Sequence, residues 1–257
     1  MSTVLDAIVA GVLEDLKARK ISLEQLRGQL IDAPSVRHAY QALAAPGMQI
    51  IAEVKRASPS KGVLATIDDA AALAREYELA GAAVISVLTE GRRFGGSTTD
   101  LIAVRKSVQI PVLRKDFIVS EYQVIESRVL GADLLLLIVA ALDDAQLRDY
   151  QSLAHELGMS VLVEVHDEDE LQRAVAIDAQ IIGVNARNLK TLEISHEAFS
   201  RLLPLIPTEV LKVAESGIAT REQVESAALL GAKVILVGET LVRAGDPALA
   251  ISTLLGR

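Results

Sequence analysis

The chain has 257 residues, 51% of them hydrophobic, which is enough to bury one large α/β core or two smaller ones. A formal net charge of -8 sets most of its surface against nucleic acid and anionic membranes. The absence of cysteine excludes disulfides, thiolate nucleophiles and thiolate-held metal, and it fits a reducing, cytoplasmic setting. Met1 is followed by Ser2, Thr3 and an amphipathic stretch, so no signal peptide is expected. Val4, Leu5, Ile8, Val9, Val12, Leu13 and Leu16 recur at helical spacing, with Asp6, Glu14, Asp15 and Lys17 opposite, which predicts an opening helix whose apolar face must cover something. A second helix is predicted from Ser22, where Ser22 and Gln25 have capping-box spacing. Residues 1–48 thus read as a helical extension packed on the remainder of the chain.

From Gln49 the pattern becomes alternating strand and helix. The predicted strands are 50–54, 83–88, 112–114, 134–138, 161–163, 181–184, 211–214 and 234–237. Several are apolar on both faces, as suits a strand between outer helices and a filled interior, and eight of them close a barrel. The longest apolar run, 134–142, has about half the length a membrane helix needs. Helix starts are predicted at Asp68 before Ala70, Ser120 with Gln123, Asp143 with Gln146, Asp167 with Glu170, and Thr220 with Gln223. Gly81, Gly131 and Gly231 each precede an alanine and a strand, where a left-handed glycine ends the preceding helix, and this recurrence is the internal repeat. No linker-like stretch interrupts the array, so 1–257 reads as one α/β domain, a (β/α)8 TIM barrel with its N-terminal extension. An open doubly wound sheet is the rival, and it would normally show a glycine-rich fingerprint after the first strand, where Glu53-Val54-Lys55-Arg56-Ala57-Ser58 stands instead.

In a parallel barrel all strand ends share one rim, which is where such folds carry their chemistry. Here the endings are Glu53 and Lys55, Lys115, Glu164, Asn185, Glu215 and Gly238. Glu53 and Lys55 lie two apart and face the same way; a buried ion pair would explain them alone, but Lys115 and Glu164 repeat the expensive choice on other strands. Arg187 after Asn185 can fork onto a phosphate or carboxylate, or merely brace a loop. Ser216-Gly217 and Gly238-Glu239 bring backbone amides to the part of the rim where barrels bind phosphate, or are tight turns. Phe94-Gly95-Gly96-Ser97 is either a loop that covers an apolar ring or a structural turn. His38, His155, His166 and His196 have no metal-ligand spacing and read as surface or capping residues.

The ordered motifs Glu53-Val54-Lys55-Arg56-Ala57-Ser58-Pro59-Ser60-Lys61-Gly62, Phe94-Gly95-Gly96-Ser97, Arg114-Lys115-Asp116-Phe117, Leu162-Val163-Glu164-Val165-His166, Gly183-Val184-Asn185-Ala186-Arg187-Asn188-Leu189, Ala214-Glu215-Ser216-Gly217-Ile218 and Val237-Gly238-Glu239 resemble those of the indole-3-glycerol phosphate synthase family, over essentially the whole chain. The resemblance implies a cofactor-free, metal-free barrel of tryptophan biosynthesis. Its activity would be to close and decarboxylate 1-(2-carboxyphenylamino)-1-deoxyribulose 5-phosphate. It also implies that Lys115 acts as general acid on the substrate carbonyl, Lys55 holds the carboxylate and Glu164 and Glu53 move protons. Asn185 would orient hydroxyls, and Glu215 and Ser216 would line the site. Ser58, Arg187, Gly217, Gly238 and Glu239 match positions near the phosphate, and Phe94, Phe117 and Leu136 would pack the anthranilate ring. The expected partner is that phosphorylated small molecule, with no nucleic acid and no membrane, and the chain is expected to act as a monomer. Arg92 and Arg93 depart from the family by preceding Phe94 where many relatives have another aromatic. Ala186 stands where relatives often carry Asn or Ser, and it has no assigned role. The rival readings are a Schiff-base aldolase, a non-catalytic phosphate-binding barrel and a phosphoribosylanthranilate isomerase, the last lacking its family's cysteine base.

Overall fold

Every apolar run predicted as a strand forms one in the computed structural model. It describes residues 3–189 and 191–257; Lys190 lies outside the described residues, as do Met1 and Ser2, where the signal-peptide reading begins. The strands are β1 (Gln49–Val54), β2 (Val84–Leu88), β3 (Val112–Lys115), β4 (Leu134–Ile138), β5 (Ser160–Val165), β6 (Ile181–Asn185), β7 (Leu211–Glu215) and β8 (Val234–Val237). Each pairs in parallel with its sequence neighbours, and β8 returns to β1 with Gln49 opposite Val234, closing the barrel. The outer helices are α4 (Ala70–Leu79), α5 (Thr98–Ser107), α6 (Glu121–Val129), α7 (Asp144–Glu156), α8 (Glu168–Ala176), α9 (Glu197–Leu202), α10 (Arg221–Leu229) and, after β8, α11 (Glu239–Arg243) and α12 (Pro247–Leu255). A short hairpin pairing Ala57–Ser58 with Gly62–Val63, absent from the sequence reading, stiffens the loop after β1.

Strand alternation sorts the side chains into two cores. Ile50, Ala52, Ile85, Val87, Val112, Leu135, Val163 and Ile182 face the helices, while Ile51, Val84, Leu113, Leu134, Leu136, Leu162, Val213 and Leu236 fill the barrel. The helices begin where the polar signals put them: Asp143 and Thr220 make full capping boxes with Gln146 and Gln223, and Ser120 and Asp167 cap α6 and α8. One start moves, because Asp69 rather than Asp68 accepts the amides of Ala71 and Ala72 and caps α4. Gly81, Gly131 and Gly231 have φ of +92°, +92° and +98°, the left-handed geometry that their recurrence implied.

The extension consists of α1 (Val4–Arg19), α2 (Leu23–Gly28) and α3 (Ala39–Leu43). Leu5, Ile8 and Val12 of α1 join the interior cluster beside Phe117, Leu136 and Ile138, so α1 lies over the mouth. Leu16 and Leu26 run down the outside against Tyr122 and Ile125 of α6. Ala39 and Leu43 of α3 pack with Val84, Leu134, Ile181, Leu211 and Val234, the first inward residues of their strands, and plug the opposite end.

Near that end Asp133 is fully buried and accepts from the backbone amides of Arg37 (2.7 Å) and Val112 (2.9 Å) and from the Arg105 guanidinium (3.1 Å). It ties the extension to β3. Removing one member of such a network leaves buried donors without a partner, so Asp133→Ala is expected to lose about 3–5 kcal/mol of stability. The loss is read as a lower urea midpoint, and an unchanged midpoint would show that the network contributes nothing.

Candidate active site

The alternation that puts Ile51, Leu113, Leu162, Gly183, Val213 and Leu236 inside the barrel puts Glu53, Lys115, Glu164, Asn185, Glu215 and Gly238, two residues further on, inside at the mouth. All line one cleft of about 600 Å³, together with Lys55, Ser58, Phe94, Phe117, Leu136, Arg187, Ser216, Gly217 and Glu239. The structure therefore brings together every residue expected from the sequence. At the floor the Lys115 ammonium lies 2.9 Å from Glu164 and 3.4 Å from Glu215, and both carboxylates are almost wholly buried. Lys55, one residue past β1, lies 3.3 Å from Glu53 and 5.7 Å from the centre of the Phe94 ring. Among the described residues no group of three or more His, Asp or Glu could hold a metal ion.

Burial and charge pull the floor groups apart. Burial alone would lower the Lys115 ammonium, but Glu164, Glu215 and Glu53 outweigh it and hold the group above the ordinary lysine value. Glu164 is opposed by burial, yet Lys115 and His166 drive it well below the usual carboxylate range. Glu215 goes the other way: burial, with the Glu164 charge added and Lys115 opposing, pushes it up to about 8. Among the described residues neither Glu215 oxygen has a hydrogen-bond partner. At neutral pH the floor thus holds one ammonium, one carboxylate and one neutral carboxyl.

Two glycines make this crowding possible. A Cβ at Gly183 would collide with the Glu215 carboxylate, and one at Gly238 with that of Glu53. Gly238, expected beside a phosphate, therefore also clears room for a rim acid. The Ser216-Gly217 turn is left-handed at both residues (φ +72° and +77°), a conformation disfavoured for serine and stored here at the rim.

The loops divide the cleft by polarity. Phe94 and Phe117, 6.1 Å apart between ring centres, make an apolar end with Leu136, Leu5 and Ile8. At the other end Arg187 donates to Ser60 Oγ and to the Leu192 carbonyl (both 2.9 Å), its backbone amide donates to Asn185 Oδ1 (3.0 Å), and Lys61 holds Glu239 (2.7 Å). Arg92 turns away from the aromatic end and clamps Glu14 and Asp15 of α1 at 2.9 Å and 2.7 Å.

Two residues were missed. Glu90 is buried and accepts the amides of Arg92, Arg93 and Phe94 (3.0, 2.8 and 3.0 Å), fixing the aromatic loop; a carboxylate closing the second strand was the available signal. The other is a correction: His166 is neither a surface nor a capping residue, but lies between Glu164 (3.4 Å) and Glu170 (2.9 Å). Its place two residues beyond Glu164, on the inward alternation, was the sign.

A family model described as indole-3-glycerol phosphate synthase matches residues 5–254. The chain belongs to the indole-3-glycerol phosphate synthase family. A protein of that name from Nocardioides sp. is 57% identical over 99% of this chain and 98% of its own length. One from Paenarthrobacter aurescens is 54% identical over 95% and 93%, and one from Streptomyces coelicolor 52% over 98% and 95%. Among solved structures, a 3-hexulose-6-phosphate synthase superposes with a TM-score of 0.64 at 20% identity, covering 81% of this chain and 99% of that one. An N-acetylmannosamine-6-phosphate 2-epimerase from Clostridium perfringens gives 0.60 at 15%, covering 82% and 94%. These two share the fold, while the indole-3-glycerol phosphate synthases share the whole sequence frame.

The glycine constraint is testable in this family member. Gly183→Ala is expected to cost about 1–3 kcal/mol by overpacking and to lower turnover more than about tenfold by displacing Glu215. Adding Glu215→Ala should restore most of the lost stability in urea unfolding; a double variant as unstable as the sum of the singles would mean that the clash lies elsewhere.

Proposed function

We propose that the chain closes, decarboxylates and dehydrates 1-(2-carboxyphenylamino)-1-deoxyribulose 5-phosphate to indole-3-glycerol phosphate, carbon dioxide and water. The observation that carries the chemistry is the Lys115 ammonium held between Glu164 and Glu215 at the cleft floor. Closure joins the ring carbon bearing the carboxylate to the ketone carbon of the sugar chain. The carbonyl oxygen needs a proton as that bond forms, and Lys115 is the donor held for it. Carbon dioxide then leaves, and its bonding pair restores the ring. Dehydration needs the opposite pair of tools at once: an acid for the departing hydroxyl and a base for the proton on the carbon next to nitrogen.

Glu215, pushed up to about 8, is the acid, and Glu164, kept ionised, is the base. Two protons are given and one is taken, so one proton is consumed per turnover, matching the carboxylate lost as carbon dioxide. Lys55 pairs with the substrate carboxylate before it leaves, and Glu53 keeps that ammonium in place at 3.3 Å. Asn185 orients the chain hydroxyls, and Ser216 lines the wall beside them. Phe94, Phe117 and Leu136 take the anthranilate ring. The phosphate goes to the opposite end, on Arg187, Ser58 and the backbone amides at Gly217, Gly238 and Glu239. The chain is proposed to act as a monomer, and a biosynthetic step of this kind supports a cytoplasmic setting.

Lys115→Ala is expected to lower turnover by about 10³-fold or more with the fold intact by circular dichroism, since it removes the proton donor of the first step. The assay is indole fluorescence after mixing with the carboxyphenylamino substrate; near-parental turnover would remove Lys115 from that role. Glu164→Gln should fall by about 10²-fold or more in kcat with KM little changed, whereas an effect confined to KM would make it a binding residue.

The pH dependence has a definite sign. Glu215 donates only while protonated, so kcat is expected to fall as pH rises through about 8. Glu215→Gln should be slow at every pH and lose that limb; a limb that survives unchanged in the variant belongs to another group.

A further inference from the structure

The geometry points to His166, clamped by Glu170, as a positioning residue that presents its Nε2 to the free oxygen of Glu164 and so sets which of Glu164 and Glu215 carries the proton. This deepens the reading above and rests on it for the roles of the two carboxylates. His166 follows β5 directly. Its backbone amide and its ring Nδ1 both meet the same oxygen of Glu170, at 2.8 Å and 2.9 Å. Glu170 is itself fixed in the first turn of α8, where its amide donates to the capping Asp167 at 2.9 Å. With Nδ1 held there, Nε2 is buried, aimed at Glu164 Oε1 at 3.4 Å, and has no hydrogen-bond partner elsewhere among the described residues. Lys115 occupies the other oxygen of Glu164 at 2.9 Å. Each oxygen of that carboxylate thus faces a separate cation, and Glu215 is left with the weaker contact to Lys115.

A brace for α8 would not need this arrangement. The backbone amide of His166 alone would satisfy Glu170, and the ring could point to solvent; instead it reaches the one carboxylate that touches Lys115. The other charges near the ring do not compete for it. Arg201 of α9 pairs with Glu168 at 2.7 Å and reaches only the His166 carbonyl, at 3.5 Å. Arg173 of α8 is bound to Asp144 and to the carbonyls of Val139 and Leu142. Lys115 and Glu215 lie beyond Glu164. Burial lowers the imidazole, but Glu164 and Glu170 outweigh it and bring it up to about 10, so the ring is an imidazolium at neutral pH.

Without that cation the proton of the coupled pair spreads back onto Glu164, and the base of the dehydration step is lost for part of the time. His166→Gln, which keeps a donor but no charge, is expected to lower kcat about 10- to 100-fold while leaving KM within about threefold, the range seen when a group orienting a reacting group is removed. Losing positive charge beside Glu164 disfavours its ionised form, so the acid limb of the kcat profile should also move to higher pH. A profile superimposable on the parent's would overturn the proposal. A second readout does not depend on turnover. In the full chain labelled with 15N-histidine, the signal absent from His166→Gln should report both ring nitrogens protonated at pH 7.5, and Glu170→Gln should lower the pH at which it titrates. A neutral ring at pH 7.5 would also overturn the proposal. If the parent chain leaves the substrate untouched, the functional reading fails, and the nitrogen shifts still decide the placement of the charge.

Discussion

One ammonium wedged between two carboxylates, almost out of reach of water, is the constraint around which the rest of the barrel is arranged. Such a cluster costs desolvation on every member, and a well-packed apolar substitute would serve stability at least as well. Holding it needs three rigid points, and the ends of β3, β5 and β7 supply them. The residues next to Lys115 show how rigidity is secured: Arg114 and Asp116 point outward and lock to each other, to Thr89 and to Glu126 of α6, all of it buried. The lysine backbone is thus fixed from behind by one charge network while its side chain enters another. The glycines at 183 and 238 complete the arrangement by leaving room for carboxylates where any other residue would put a methyl group.

The extension and the loops around the mouth solve a different problem. A barrel mouth is open to solvent by construction, yet charges on its floor act strongly only where water is excluded. Helix α1 covers part of the opening with Leu5 and Ile8, and the Arg92 clamp on Glu14 and Asp15 joins it to the loop that carries Phe94. Gly11 faces the Arg92 side chain at a distance that leaves little space for a methyl group, so the helix is shaped to take that clamp. An arginine that looks misplaced beside an aromatic loop therefore acts one element away.

Most of the site was legible because a parallel strand reports its own inside and outside. Period-two alternation, with a polar residue where the apolar run stops, is enough to place Glu53, Lys115, Glu164, Asn185 and Glu215 on one rim. Capping signals were legible for the same reason, being local; the shift from Asp68 to Asp69 is the single-residue ambiguity of two adjacent aspartates. His166 and Glu90 each stood at a telling place past a strand end, but what they do was hidden because it lies in partners that only the fold supplies. A histidine after a strand looks like any other until Glu170 fixes one side of its ring. The hairpin after β1 was missed because two-residue strands carry no periodicity. A second task of Gly238 was hidden for a related reason, since the carboxylate it makes room for is 185 positions away in the chain.

The same pairing of charges explains how an acidic protein takes a substrate that bears a phosphate and a carboxylate. Four of its cations are held by carboxylates, Lys55 by Glu53, Lys61 and Arg243 by Glu239, and Lys115 by Glu164 and Glu215, while Arg187 is held by Ser60 and the Leu192 carbonyl. A rim of lysines and arginines alone would attract any phosphorylated metabolite and hold it by charge, with no discrimination among them. Pairing most of these cations with carboxylates lowers that general attraction and keeps the side chains in position for an exchange of partners. A ligand is then favoured only if its own anions reach several of these cations at once, which demands the right span between carboxylate and phosphate. On the proposed function, the carboxylates released by such an exchange would be left at the cleft floor, beside the reacting atoms. Selectivity for a doubly anionic substrate and the supply of acids and bases are in this way two consequences of the same pairs.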